Sequence, residues 1–212
     1  MRKDTRDLPL CKMVYDGVYE RTIVLDGKQV PTKEYDHWHH MQTRCKEPYW
    51  KSRPSYWGYS MSDYFSDYNN FAAWCKQQPF NTEVGFTLEK DIINVASGTK
   101  VYSEETCVFV PAQLNSFLTT KRKNVKVFTG VSFQKACGKY IVSCSQLNGK
   151  NKTLARVHCP IEGYQIYRQE KVRLAKLFSE QHGDKLDKRV MDILSNFSDY
   201  IDLFTVNPNN KE

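Results

Sequence analysis

Apolar positions along this chain change from helical to strand-like spacing and back, and the spacing predicts the elements. Val18 to Leu25 reads as a strand closed by an Asp26-Gly27 turn. Pro31-Thr32 then introduces a helix on which Trp38, Met41 and Cys45 fall at i, i+3 and i+7, one apolar face. His37, His40 and Arg44 share the other face, which reads either as solvated or as contacting phosphate. Residues 46–60, rich in Pro, Tyr, Trp, Ser and Gly, read as an irregular loop. Its aromatic rings either pin it to the core or stack on unpaired bases. Ser62 or Asp63 caps a second helix with Tyr64, Tyr68, Phe71 and Cys75 on one face, Trp74 beside Phe71, and Pro79 as its stop.

Further along, Phe86 to Ile93 reads as a strand, Asn94 to Lys100 as a turn and Cys107 to Val110 as a short apolar strand. Pro111 suits the first turn of a helix carrying Leu114, Phe117 and Leu118. After the basic run Lys121-Arg122-Lys123-Asn124 the pattern changes to three strands, Lys126 to Phe133, Gly138 to Gln146 and Lys152 to His158. Asn148-Gly149 is a two-residue hairpin signal, because both residue types tolerate positive φ. Pro160 opens a long helix with Tyr164, Tyr167, Leu174 and Phe178 on one stripe, and a last helix spans about residues 184–197. The expected class is α+β in two parts. An arm (1–30) precedes a first domain (31–120) and a second (121–212), with no internal repeat.

Charge gives the second part a character of its own. The 212 residues carry 31 Lys+Arg and 24 Asp+Glu, net +7. Residues 1–120 hold 14 basic and 15 acidic residues, whereas 121–176 hold 13 basic and 2 acidic. So concentrated a patch is either a solvated face or a footprint for a polyanion. No run of about 18 apolar residues exists, so no membrane helix is expected. The charged start Met1 to Asp7 has no apolar segment behind it, so no secretory leader is expected.

The seven cysteines include no C-x-x-C pair, which argues against a disulfide framework or a four-cysteine zinc site. They read as small buried hydrophobes in a reducing cytoplasm. His37, His39, His40 and Cys45 lie close together, but their spacing fits no standard zinc pattern.

Gly130-Val131, Gly138-Lys139-Tyr140, Leu154 and Pro160-Ile161-Glu162-Gly163-Tyr164 with Tyr167 carry a resemblance. The segment from Thr129 to about Leu174 resembles the ethylene-response-factor (Apetala-type) DNA-binding domain. That resemblance implies a three-stranded antiparallel sheet backed by one helix, with the sheet lying in the DNA major groove. It points to side chains on the strand face away from the helix: Lys135, Lys139, Ser143, Lys150, Lys152 and Arg156. The preceding linker adds Lys121, Arg122 and Lys123 as DNA-binding candidates. Ala155 stands where that family usually has glycine, and Gly163 where it usually has alanine.

The first half resembles HNH homing endonucleases of tailed phages, which often carry this same C-terminal module. The matching pieces are Trp38 to Cys45, Phe71-Ala72-Ala73-Trp74, and Leu88 to Ile92 with Tyr102 to Pro111 and Asn115. The resemblance implies a ββα finger holding one divalent metal, with a strand-end histidine as general base. Here the strand end reads Glu89-Lys90-Asp91, without that histidine, and Asn115 matches the helix asparagine.

Two readings stay open for this finger. In one it is catalytically dead and still grips DNA. In the other, Glu89 and Asp91 hold Mg²⁺ or Mn²⁺, Asn115 contributes, and Lys90 or a remote histidine (His39 or His40) assists cleavage. The function favoured is recognition of double-stranded DNA in a bacterial host's cytoplasm. The alternatives are an inactive nuclease derivative acting as a DNA-binding regulator, and a phage factor that binds a host protein.

Overall fold

The computed structural model describes residues 8–78, 80–82, 85–95, 98–118 and 128–205. The fold is α+β, and the chain divides into two compact units, Met1–Pro111 and Ala112–Glu212. That division falls ahead of the boundary set by composition at residue 121. Residues 119–127, including Lys121, Arg122, Lys123 and the start of the expected first strand, lie outside the described residues, as does Pro79.

The first unit begins with two small antiparallel hairpins, β1 (Met13–Tyr15) with β2 (Val18–Tyr19) and β3 (Thr22–Leu25) with β4 (Lys28–Pro31). Leu25 pairs with Lys28 across Asp26 and Gly27, whose φ values of 49° and 71° make the two-residue turn with the twist a hairpin needs. Helix α1 (Lys33–Arg44) starts where the Thr32 hydroxyl accepts the Tyr35 N–H. The aromatic loop is more regular than its composition implies. It holds α2 (Glu47–Ser52) and a 3-10 turn (Pro54–Tyr56), each with proline in its first turn.

The single helix expected after Ser62 is two. Ser62 caps α3 (Asp63–Ser66) and Asp67 caps α4 (Tyr68–Gln77). The break at Asp67 changes the buried face: Phe65 is fully buried, whereas Tyr64 is 40% exposed. Strands β5 (Ser60–Met61) and β7 (Val101–Tyr102) pair in parallel, and β6 (Phe86–Glu89) pairs antiparallel with β8 (Val108–Pro111). β6 stops four residues short of Ile93. The Glu89 carboxylate accepts the N–H groups of Lys90 (2.9 Å) and Asp91 (3.0 Å) and turns the chain. Trp38, Met41, Phe65, Tyr68, Phe71, Trp74, Cys75 and Phe109 form the core of this unit.

The opposite face of α1 is solvated only in part: His40 is exposed, but His37 and Arg44 are half-buried. The His37 ring lies 5.8 Å from that of Phe109, and Arg44 lies over the Tyr56 ring. Burial first, and then the charge of Lys33, pull the His37 imidazole down to about 4. A histidine held neutral in the fold stabilises it fully above the ordinary value of 6.5, and that stability is lost as pH falls toward 4. Lowering the pH from 6.5 to 5 is expected to cost about 2 kcal/mol from this group. Urea unfolding of wild type and His37→Gln at the two pH values checks it; equal pH sensitivity of both would refute the assignment.

In the second unit, helix α5 (Ala112–Leu118) comes first; Pro111 ends β8 and does not open the helix. Strands β9 (Val131–Gln134), β10 (Lys139–Ser145) and β11 (Asn151–Val157) form an antiparallel sheet in the order β11-β10-β9. α6 (Pro160–His182) packs on one face, with Tyr164, Tyr167, Lys171, Leu174 and Phe178 buried. Gly163 lets it approach closely, since a Cβ there would lie 3.1–3.3 Å from Val142, Val157 and Val131.

The β10–β11 connection is not the two-residue turn that Asn148-Gly149 advertises. Gly149 N–H bonds the Gln146 carbonyl (2.9 Å), Gln146 N–H bonds the Lys150 carbonyl (2.8 Å), and Gly149 has φ 78°. This is the three-residue loop, a tight turn followed by a left-handed residue. The helix expected over about 184–197 is α7 (Lys188–Ser195), capped by Asp187, and a further helix not expected from the sequence, α8 (Phe197–Thr205), follows it.

Candidate nucleic-acid interface and acidic turn

Register decides what each face of the sheet carries. Val131 pairs with Val142, and Tyr140 with Phe133 and Val157. Val131, Val142, Cys144 and Val157 are buried, so this set faces α6. The other face alternates with it: Ser132, Gln134, Lys139, Ile141, Ser143, Ser145, Asn151, Thr153 and Arg156. All are half-buried or exposed. Arg156 lies opposite Ile141, which lies opposite Ser132, and Lys139 lies opposite Gln134. The face is polar, and its two cations sit toward the same end.

The pairing slips between Val142 and Ser143, which face Ala155 and Thr153, so Leu154 is an extra residue in β11. The slip corrects one expectation. Lys152 pairs with buried Cys144 and therefore lies on the helix side, where its charge helps hold the Glu170 carboxyl down behind the larger effect of Arg173. Lys135 and Lys150 are exposed in the two turns, at opposite ends of the strands. The span of β10 separates these ends by roughly 20 Å.

The structure also sorts the remaining basic residues. Arg168 pairs with Asp202 (3.3 Å) and Arg173 with Glu170 (2.7 Å). Lys171 is 2% exposed; its ammonium donates to the Phe117 carbonyl and lies 3.6 Å from the centre of the Phe117 ring. Burial pulls it down to about 8. Among the described residues, Lys135, Lys139, Lys150 and Arg156 make no ion pair.

At the acidic turn of the first unit, Glu89, Lys90 and Asp91 are adjacent, but Lys90 is an interior residue, 2% exposed. Its ammonium donates to Asp91 Oδ1 and lies over the rings of Tyr59 (4.1 Å) and Tyr102 (5.4 Å). Burial, and then the neighbouring Asp91 charge, raise the Glu89 carboxyl above its ordinary value. One oxygen of each carboxylate is therefore engaged, by two N–H groups at Glu89 and by an ammonium at Asp91.

A divalent cation would have to sit beside that ammonium, and among the described residues no group of three or more His, Cys, Asp or Glu could hold a metal ion. The residues present do not fit Mg²⁺ or Mn²⁺. Asn115 is half-buried on α5, in the second unit. The histidines of α1 are not gathered into a ligand set either. His37 faces Phe109, His39 stacks on Tyr35 (6.1 Å), and exposed His40 pairs with Asp36 (3.2 Å).

Two roles escaped sequence reasoning, the Tyr59–Tyr102 cage and buried Lys171. Lys171 falls on the stripe of Tyr164, Tyr167, Leu174 and Phe178 at helical spacing, and that periodicity was the signal available. All seven cysteines are free thiols, with Cys11, Cys75, Cys107 and Cys144 buried. Among the described residues no helix is long and apolar enough to cross a membrane. No family model, curated protein or solved structure matches the chain.

Proposed function

We propose that this protein binds double-stranded DNA through the open face of β9, β10 and β11, and that it does so without cleaving at the acidic turn. The observation that carries the reading is the polar, uncovered strand face bearing Lys139 and Arg156, with Lys135 and Lys150 at its two ends. Three strands about 4.8 Å apart make a surface about 10 Å across, which suits a major groove about 12 Å wide. A three-stranded antiparallel sheet with one helix on its back is also what the Apetala-type resemblance implies, and this supports the reading. On the first unit, the ammonium of buried Lys90 occupies the exposed Asp91 carboxylate, which supports reading the HNH-like finger as a scaffold that does not cleave. The protein is then a DNA-binding regulator of phage type, acting in the host cytoplasm.

The test is fluorescence anisotropy with a labelled duplex of about 20–30 base pairs at two salt concentrations. Affinity should fall steeply with salt, because each phosphate neutralised releases counterions. The double variant Lys139→Glu/Arg156→Glu should bind at least tenfold more weakly and show a salt slope reduced by about two. Lys152→Glu, on the helix side, should change much less. Undiminished binding by the double variant would remove this face as the DNA surface. Nicking of duplex DNA with Mg²⁺ or Mn²⁺ that disappears in Glu89→Ala and in Asp91→Ala would overturn the non-cleaving part and restore the metal-nuclease reading.

A further inference from the structure

We infer that the aromatic segment Tyr49–Tyr59 of the first unit is a stacking platform for an unpaired nucleic-acid strand, separate from the duplex surface. Core tryptophans of this unit are buried, Trp38 on α1 and Trp74 on α4 at 9% and 6% exposure, whereas Trp57 is 62% exposed. It is nevertheless held in place. Trp50 donates its indole N–H to the Arg44 carbonyl (2.7 Å) and presents its ring 5.4 Å from that of Trp57. The Trp57 carbonyl accepts the Lys100 ammonium (2.7 Å). A second series of rings runs beside this pair, Tyr49 to Tyr56 (5.2 Å) and Tyr56 to Tyr59 (4.9 Å).

Charge selects the occupant. Residues 44–58 hold Arg44, Lys46, Lys51 and Arg53 against Glu47 alone, and Glu47 is spent on Lys51 (3.1 Å). Exposed Arg53 lies over the Tyr49 ring (5.2 Å) and donates to its hydroxyl (3.2 Å), so its position is set. Asp91, the acid nearest Tyr59, is neutralised by Lys90. An anion with flat apolar faces fits this surface, and a single strand supplies both, a base for Trp57 and phosphates for Arg53 and Lys100. A base inside a duplex keeps its faces covered by its neighbours. Stacking of this kind tolerates any base.

The experiment uses the full chain with fluorescein-labelled oligo-thymidylate and oligo-uridylate of about fifteen nucleotides. Binding should be measurable for at least one of them, and which one identifies DNA or RNA as the source of the strand. Trp57→Ala should weaken it about tenfold or more, while Trp57→Phe, which keeps a ring, stays within about threefold of wild type. Lys139→Glu/Arg156→Glu should leave it unchanged, which separates this site from the sheet. Failure of both oligonucleotides to bind, equal binding by Trp57→Ala, or loss of binding in the sheet variant would each overturn the platform.

Discussion

Glu34→Ala is expected to destabilise the first unit by about 3–5 kcal/mol, enough to leave little of the stability a domain of this size has. Glu34 has no exposed surface, yet it is charged. Its Oε2 accepts the Cys11 N–H (2.8 Å); its Oε1 accepts from Lys76 (3.2 Å) and from the Asn81 amide (3.1 Å). Burial raises its carboxyl, but the Cys11 N–H, the Asn81 amide and the Lys76 charge outweigh that and hold it below its ordinary value. One side chain of α1 thus ties down the chain start, α4 and the segment after α4. Removing it leaves Lys76 with only the Cys11 carbonyl and solvent, and leaves the Cys11 N–H and the Asn81 amide without their acceptor. All four tryptophans lie in this unit, so the shift in the urea midpoint of tryptophan emission reads it directly. Glu34→Gln, which keeps the acceptor and loses the charge, should fall between. A loss below about 1 kcal/mol for the alanine variant would show that the network is dispensable.

Gly130→Ala should have an effect of similar size on the second unit. Gly130 has φ 78°, a region that opposes any Cβ, and a Cβ built there would lie 2.1 Å from the Tyr167 ring. Left-handed strain of about 1–2 kcal/mol adds to overpacking of about 1–3 kcal/mol. Tyr167 cannot simply step aside, because it is 2% exposed on the stripe by which α6 packs against the sheet. The prediction is a drop in the thermal midpoint of the helical circular dichroism signal. Adding Tyr167→Leu to Gly130→Ala should recover the clash but not the backbone strain. A single variant as stable as wild type would mean that the Gly130 turn is far more plastic than its geometry.

What the chain made legible was whatever repeats. The stripe of Tyr164, Tyr167, Leu174 and Phe178 is buried as its spacing requires, and the Asp26-Gly27 turn joins the strands it flanks. What stayed hidden was decided by one side chain acting on distant backbone. The helix expected across residues 62–79 breaks because Asp67 caps a new start, and the strand expected to reach Ile93 stops because Glu89 bonds the next two N–H groups. The parallel pair β5 and β7 is two residues long and carries no pattern of its own.

Charged residues misled most. Lys90 reads as strand-end chemistry and Lys171 is one of the 13 basic residues counted in 121–176, but each ammonium is buried and held by an acceptor and aromatic rings. The candidate site was therefore legible in its charge and topology. It was not legible in which cations reach solvent.

The extra residue Leu154 has a consequence for anyone who edits β11. A strand is a two-phase object, and a bulge resets the phase. β11 therefore has two halves read by opposite parity rules: even-numbered Lys152 points toward the helix before the bulge, and even-numbered Arg156 points away from it after. A library that diversified every second position along this strand, as one would for an unbroken ladder, would alter the outer face in one half and the packed face in the other.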